Sequence, residues 1–316
     1  MLEGRTIIVF GIEHYNPLGI IRSLGEQGIH PVFIAIPGRA DVASASKYVE
    51  KCHRVKDYVE GCQLLLEEYG DFPADNLPIV ITSDDEQVGY MDEHYDDFAG
   101  KFIFFNAGKN GGITEYMDKF NILELAKKNG LNTLEAVSVK RGEIPENVPY
   151  PVITKSIAPN IGGWKADVFI CENEEELKTA YEKIQSPTVL VQHYIDKKNE
   201  LVLEGFSADK GRQTFIAIAS LYKYNIKGYY SPYHSVDNFK DQFLYDALSK
   251  MLEQIGFEGI FEIEFLVDKD DTLYFSEINF RNSTWSYAAT CAGMNLPVLW
   301  AESMPVSYTH LTLPTN

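Results

Sequence analysis

Cysteine is scarce in this sequence: the four present (Cys52, Cys62, Cys171 and Cys291) make no C-x-x-C and no tight cluster. A disulfide framework or a cysteine-held metal is therefore not what organises the chain, and a reduced, cytoplasmic setting is the simplest expectation. Long apolar runs are missing as well. None approaches the length that spans a bilayer, and Met1 leads into a strand-like TIIVF without a basic-then-apolar leader. Positive charge is in deficit, with 28 basic against 46 acidic residues and a formal charge of −18. That balance argues against broad binding to nucleic acid or an anionic membrane, while leaving room for a local basic pocket. Two glycine signatures are absent too. Gly11 and Gly19 do not complete G-x-G-x-x-G, which argues against a nicotinamide dinucleotide site, and the GKNGG of Gly108 to Gly112 is not closed by Lys-Ser or Lys-Thr as a P-loop is. No internal repeat or low-complexity segment is visible.

What is present is apolar material in quantity. At 316 residues and 45% hydrophobic, the chain can bury a large core and should hold two or more domains. Its first third alternates strand and helix. Thr6 to Phe10, Val32 to Ile36, Ile79 to Thr82 and Phe102 to Phe105 read as strands. Helices are expected from Asn16-Pro17 (cap and first helical position) to about Gln27, from Asp57 to Tyr69, and from Gln87 to Phe98. This order predicts a doubly wound parallel sheet of α/β type. Ser83-Asp84-Asp85, just past a strand's carboxyl end, reads either as a ligand site at the sheet edge or as a helix cap whose acids suit the dipole. Beyond the GKNGG linker the pattern changes. Tyr116 to Asn129 is an amphipathic helix stopped by Gly130, and Pro151 to Lys155 (PVITK) is a strand ending on lysine. A glycine-containing loop, PNIGGWK, precedes a strand at Asp167 to Ile170. A solvated helix opens at Glu174 to Glu176. Strands follow at Thr188 to Tyr194, Glu200 to Ser207 and Thr214 to Leu221, then a helix from Phe239 to Ile255 and partly helical chain from Trp285 to Met304.

The stretch richest in chemistry is GIFEIEFLVDKDDTLYFSEINFR, Gly259 to Arg281. Phe261, Ile263 and Phe265 alternate with Glu262 and Glu264, so both acids share one face of a strand, as Glu277 and Asn279 do on the next. A hairpin turning between Asp270 and Asp271 sets Glu264 opposite Glu277 and Glu262 opposite Asn279. Like charges opposed in a sheet are destabilising, by roughly 4 kcal/mol for carboxylates about 4 Å apart at an effective dielectric near 20. Such a face, with Arg281 just beyond, asks for a cation, and oxygen-only ligands favour Mg²⁺ over Zn²⁺.

Taken singly these signals are weak, but their order is specific. MDK at a helix start, VITK before a glycine loop, VLVQHYI, and EFL…SEINFR with an acid thirteen residues before Glu277 together resemble the ATP-grasp superfamily. D-alanine–D-alanine ligase, biotin carboxylase and carbamoyl-phosphate synthase are members of it. The resemblance runs from Thr114 to about Met304, and the preceding α/β unit resembles the domain those enzymes carry first. It implies an α/β first domain at residues 1–112 and a two-lobed α+β ATP-grasp fold. The small lobe would span 113–191 and the large lobe, with the Mg-ATP site, 192–304. It further implies that Lys119 and Lys155 bind ATP phosphates, and that Gly162 and Gly163 form the loop closing over them, with Lys165 as an added contact. Gln192, Tyr194 and Ile195 would be the hinge at the adenine, with Gln192 standing where glutamate is common, and Glu200 would bind the ribose. Glu264, Glu277 and Asn279 would hold two Mg²⁺ ions (Mn²⁺ is an alternative), and Arg281 would lie beside the transferred phosphate. Glu262 has no counterpart: it is either a second layer behind the ligands or a solvent-facing residue.

The activity implied by the resemblance is carboxylate–amine ligation through an acyl phosphate, with ADP and phosphate released. Small-molecule substrates are expected beyond Arg281, near Asn282-Ser283-Thr284, with Tyr229-Tyr230-Ser231 as a wall. An ATP-grasp kinase or carboxylase, or a non-catalytic ATP-binding module, is the alternative, although no biotin-carboxylase acceptor motif is visible. A homodimer is compatible with the sequence. Pro305 to Asn316, PVSYTHLTLPTN, breaks composition with the rest and reads either as a non-native tail, in which case the natural chain continues past Met304, or as an ordinary disordered tail.

Overall fold

Strand β1 (Ile7–Ile12) is apolar nearly throughout because both of its faces are covered. Helix α1 (Tyr15–Gly25) follows, then β2 (Val32–Ile36), β3 (Lys51–Arg54), α2 (Tyr58–Tyr69) and β4 (Ile79–Thr82). The four strands pair in parallel in the order β3-β2-β1-β4. The order departs from β1 in both directions, so a crevice opens at the carboxyl ends of β1 and β4, the switch point of a doubly wound sheet. Helices α3 (Asp85–Glu93) and α4 (Tyr95–Phe98) add Met91 and Phe98 to the core on the Phe10 and Val80 side. This computed structural model describes residues 2, 4–158, 164–224, 231 and 233–304.

Two antiparallel sheets follow. Helices α5 (Thr114–Met117) and α6 (Lys119–Lys128) lead into β5 (Ala136–Lys140), β6 (Val152–Ser156), β7 (Ile170–Cys171), α7 (Glu174–Tyr181) and β8 (Thr188–His193), whose strands order as β5-β8-β6-β7. The larger sheet takes β9 (Asn199–Ala208), β10 (Gln213–Tyr222), β11 (His234–Asp237), β12 (Gly259–Val267) and β13 (Leu273–Asn279) in the order β11-β10-β9-β12-β13, with α8 (Gln242–Ile255) joining β11 to β12. Helices α9 (Tyr287–Cys291) and α10 (Leu296–Ser303) return the chain to α1. One continuous core joins Val9 of the first sheet and Ile20 and Leu24 of α1 to Phe261, Ile263 and Trp300, with Phe105 edge-on to Trp300 at 4.7 Å. Among the described residues no helix is long and apolar enough to cross a membrane.

The structure bears out the doubly wound first sheet and changes several boundaries. Helix α1 is capped at His14, not Asn16. The Asn16 amide is inside the helix and donates to the carbonyls of Ser83 (2.8 Å) and Asn282 (2.9 Å), bridging distant parts of the chain. Pro17 still fits the first turn, where its missing N–H is not needed. The helix expected over Tyr116 to Asn129 is interrupted at Asp118, whose carboxylate accepts from Phe120 N and Asn121 N and restarts it. That expected over Gln87 to Phe98 breaks at His94. Phe102 to Phe105 makes only isolated bridges, Phe102 to Ala99 and Ile103 to Ile79. Asp167 to Ile170 is not a strand. Asp167 ends a 3-10 turn (Trp164–Asp167), and its buried carboxylate accepts from Gln185 N (2.8 Å) and Ser186 N (3.0 Å). Strands β3 and β11 were not expected, because KCHR and HSVD carry no apolar alternation. Gly162, Gly163, Tyr229-Tyr230, the 305–316 tail and the Lys165 side chain lie outside the described residues.

Candidate active site

The hairpin β12–β13 sets Glu262 opposite Asn279 and Glu264 opposite Glu277, the register that alternation predicts. It arrives there by an indirect route. Nearer the turn Phe265 pairs with Phe275 and Val267 with Leu273, one residue out of step, and a bulge at Ser276 restores the register. The bulge lets Phe275 and Ile278 both enter the core while Glu277 and Asn279 stay on the acidic face. Asp268 closes the turn, accepting from Asp270 N and Thr272 N at 2.8 Å each. On the acidic face Asn279 Nδ2 donates to Glu262 Oε1 and Glu264 Oε1, both at 3.0 Å. Burial, and then the charges of Glu277 and Glu262, push the Glu264 carboxyl well above its usual range.

Cations approach this face from two other elements. Lys119 is the first residue of α6, and its N–H is tied to Ile157 O (2.8 Å) just past β6. Its Nζ donates to Glu277 Oε2. Burial opposes both charges of that pair, but mutual attraction wins: Glu277 is held below and Lys119 above their ordinary values. Lys155, on β6, meets no carboxylate directly among the described residues; its Nζ donates to Gln192 Oε1 at 3.0 Å. Burial and the neighbouring Lys119 lower it to about 8. The glutamine at this hinge position therefore leaves Lys155 without a charged hydrogen-bond partner among the described residues.

Arg281 follows β13 and stands between two carboxylates. Its Nε is 3.4 Å from Asp85 Oδ1, at the start of α3, and its Nη1 is 3.6 Å from Glu262 Oε1. The helix-cap reading of Ser83-Asp84-Asp85 is borne out in position but not in side-chain bonding. Asp84 occupies the cap position without a side-chain cap bond. Its carboxylate instead accepts from Ile12 N (2.9 Å) and Ser83 Oγ (2.7 Å), and Asp85 is turned to Arg281. Glu262 is buried, not solvent-facing, and its second oxygen accepts from Trp285 Nε1 at 2.5 Å. Glu200 is buried beside Lys197, which donates to it. Tyr194 N donates to Pro151 O (2.8 Å), and Ile195 continues the chain into β9.

Trp285 and Glu204 escaped the sequence reading, and Asp85 was read only with its neighbours as a sheet-edge ligand site or a helix cap, not as the partner of Arg281. Asp85 and Trp285 become visible only when the first sheet docks on the chain after Arg281. Glu204 carried a weak signal, since it repeats with Glu200 along one strand face, but the pairing of β9 with β12 is non-local.

The residues present fit a magnesium nucleotide. The donors are carboxylates and an amide, and opposed acids stand without enough cations. No group of three or more His, Cys, Asp or Glu among the described residues forms a metal cage. Mg²⁺ suits that arrangement, because it takes one or two carboxylates and completes its shell with water and phosphate oxygens.

No protein-family model matches the sequence. Over 174 residues the chain is 25% identical to N5-carboxyaminoimidazole ribonucleotide synthase of Staphylococcus aureus, covering 51% of this chain and 43% of that enzyme. The chain thus matches less than half the length of the relatives found by sequence. In structure it resembles the L-amino acid ligase from Bacillus licheniformis with a TM-score of 0.71 and 16% identity, over 95% of this chain and 74% of the other. The biotin carboxylase domain of Hydrogenobacter thermophilus 2-oxoglutarate carboxylase, solved as a dimer with MgADP, ADP and bicarbonate, gives 0.69 at 19% identity, over 95% and 71%. The chain has the ATP-grasp fold.

Proposed function

We propose that the chain is an ATP-dependent carboxylate–amine ligase. The observation that carries this reading is the convergence of Lys119, Lys155 and Arg281, from three elements, on one partly buried face of opposed acids. A substrate carboxylate oxygen attacks the γ-phosphorus of ATP and ADP leaves. The amine nitrogen then attacks the acyl carbon, loses a proton, and phosphate departs. Phosphoryl transfer of this kind needs positioning and charge neutralisation rather than a covalent catalyst. Lys119 and Lys155 would hold phosphate oxygens, and Arg281 would stabilise the charge on the transferring group. Gly162, Gly163 and Lys165 would cover the phosphates. Gln192, Tyr194 and Ile195 would meet the adenine and Glu200 the ribose. Glu264, Glu277 and Asn279 would hold Mg²⁺ at two positions sharing Glu277, with Mn²⁺ able to replace it. Bound there, the metal supplies neutralisation at the β- and γ-phosphate oxygens. Likenesses to an L-amino acid ligase and to a carboxyaminoimidazole ribonucleotide synthase support a carboxylate and an amine as substrates.

The test is incubation with Mg-ATP and a matrix of small carboxylates and amines, measuring ADP, free phosphate and organic product. Equal ADP and free phosphate, with an amide formed only when both substrates are present, is the expected result. A phosphorylated product without free phosphate would make the chain a kinase instead.

A further inference from the structure

Two carboxylates on the acidic face, Glu204 and Glu262, have no part in the assignment above. Glu204 lies on β9, directly opposite Glu262 across the β9–β12 pairing, and so shares the face of Glu262, Glu264, Glu277 and Asn279. Strand spacing puts its Cα roughly 8 Å from that of Glu264. It is fully buried. Ser283 Oγ donates to its Oε1, and the Ser286 hydroxyl is close by. Its Oε2 has no hydrogen-bond partner among the described residues.

Glu262 makes the contrast. Its Oε1 faces Asn279 Nδ2 and Arg281, and its Oε2 accepts from Trp285, whose ring stacks on His234 at 5.7 Å. The spare acceptor of this acidic pair is Glu204 Oε2. Protonation does not remove the difficulty, since an O–H on Oε2 would then need an acceptor, and none is present among the described residues. Buried polar atoms are nearly always paired, so an unpaired one inside a site calls for a partner from outside the chain, a water or a ligand group. That ligand should be a hydrogen-bond donor. A metal ion is poorly served by one free oxygen, whereas an ammonium group needs only a carboxylate oxygen and one or two hydroxyls, such as those of Ser283 and Ser286.

We infer that Glu204, with Ser283 and Ser286, is the site that receives the ammonium group of the amine substrate, which is therefore a cationic amine. This rests on the ligase reading, because only that reading calls for an amine near Arg281. The site lies one strand inward from Glu262 on the Mg-ATP face, so an amine held there stands beside the group being transferred.

The experiment is isothermal titration of the full chain loaded with Mg²⁺ and the non-hydrolysable analogue AMP-PNP. The probes are the amides of the proteinogenic amino acids other than aspartate and glutamate, cationic amines without a carboxylate. At least one should bind saturably, and its neutral 2-hydroxy isostere should bind at least tenfold more weakly. Glu204→Gln, which keeps the Ser283 hydrogen bond, should weaken the bound amide at least tenfold and leave AMP-PNP affinity within twofold. If AMP-PNP binds while no amide does, or if Glu204→Gln binds the amide as wild type does, the assignment is wrong and the ligase reading stands. If the wild type fails to bind AMP-PNP, both fall. Should Glu204→Gln not fold, the comparison of amide with isostere in the wild type decides alone.

Discussion

The first sheet and the last handle acid in opposite ways. Strands β1 and β4 carry no charged residue, and acids appear only past their carboxyl ends. There each finds donors within the protein. Glu13 accepts from Ala43 N (2.9 Å) and Ser44 N (3.1 Å), and Asp84 accepts from Ile12 N (2.9 Å) and Ser83 Oγ (2.7 Å). In the last sheet Glu204, Glu262, Glu264 and Glu277 are set mid-strand and face one another across the pairing. Two cations, Lys119 and Arg281, lie against that group. Acids of the first kind hold loops in place and complete the fold. Those of the second kind oppose it, since buried like charges destabilise a sheet, and their retention points to a cation supplied from outside.

The substitution that should separate the two regions most strongly is Glu264→Gln. The amide oxygen can still accept from Asn279 Nδ2, so packing is preserved. Mg-dependent turnover should fall at least ~100-fold, as expected when a group that neutralises transition-state charge is lost. Stability should move the other way. The folded chain raises this carboxyl above its usual value near 4.5, so folding retains a proton that the unfolded chain releases. The associated stability is present below that value and is lost as pH climbs. Chemical denaturation should therefore find Glu264→Gln more stable than wild type by about 1 kcal/mol at pH 8, with a smaller gap at pH 5. A gap independent of pH would mean the acids are not in conflict. Next in size is Lys155→Met, which should weaken Mg·ADP binding about tenfold at pH 7, or about 1.4 kcal/mol. Burial and Lys119 set the Lys155 ammonium to deprotonate near 8. Wild-type affinity should then decline from pH 7 to pH 9 toward that of the variant, which stays flat; parallel profiles would remove Lys155 from the phosphates.

The same contrast explains what could be read in advance. Short-range pattern was enough for β1, β2 and β4, whose apolar runs leave little choice, although β1 runs on through Gly11 to Ile12. It was enough for the hairpin too, because period-two alternation fixes which residues share a face. The bulge at Ser276 was hidden, since the position assumed for the turn and the one-residue slip compensate in the half of the hairpin that holds Glu262 and Glu264. Features that depend on docking were invisible. Asn16 reads as a cap from its neighbours, yet its amide joins Ser83 to Asn282, 67 and 266 residues away. Asp85 reads as a helix-dipole charge, yet it faces Arg281. Glu204 reads as one polar residue of an ordinary strand until β9 is known to lie beside β12.

Asp85 is where the two regions meet, and Asp85→Asn is the finest test of the comparison. If the acids of the first sheet only support the fold, Asp85 orients Arg281 without taking part in chemistry. Asparagine can still accept from Arg281 Nε, and Glu262 still lies 3.6 Å from Nη1, so most of the orientation survives. The expected loss is about threefold in kcat, near 0.6 kcal/mol, with KM for ATP and the melting temperature unchanged. Adding Glu262→Gln removes the second carboxylate, and the joint loss should exceed the product of the single effects because both act on one guanidinium. A fall in kcat for Asp85→Asn as deep as that of Glu264→Gln would break the division, since the crevice between β1 and β4 would then belong to the chemistry and not to its support.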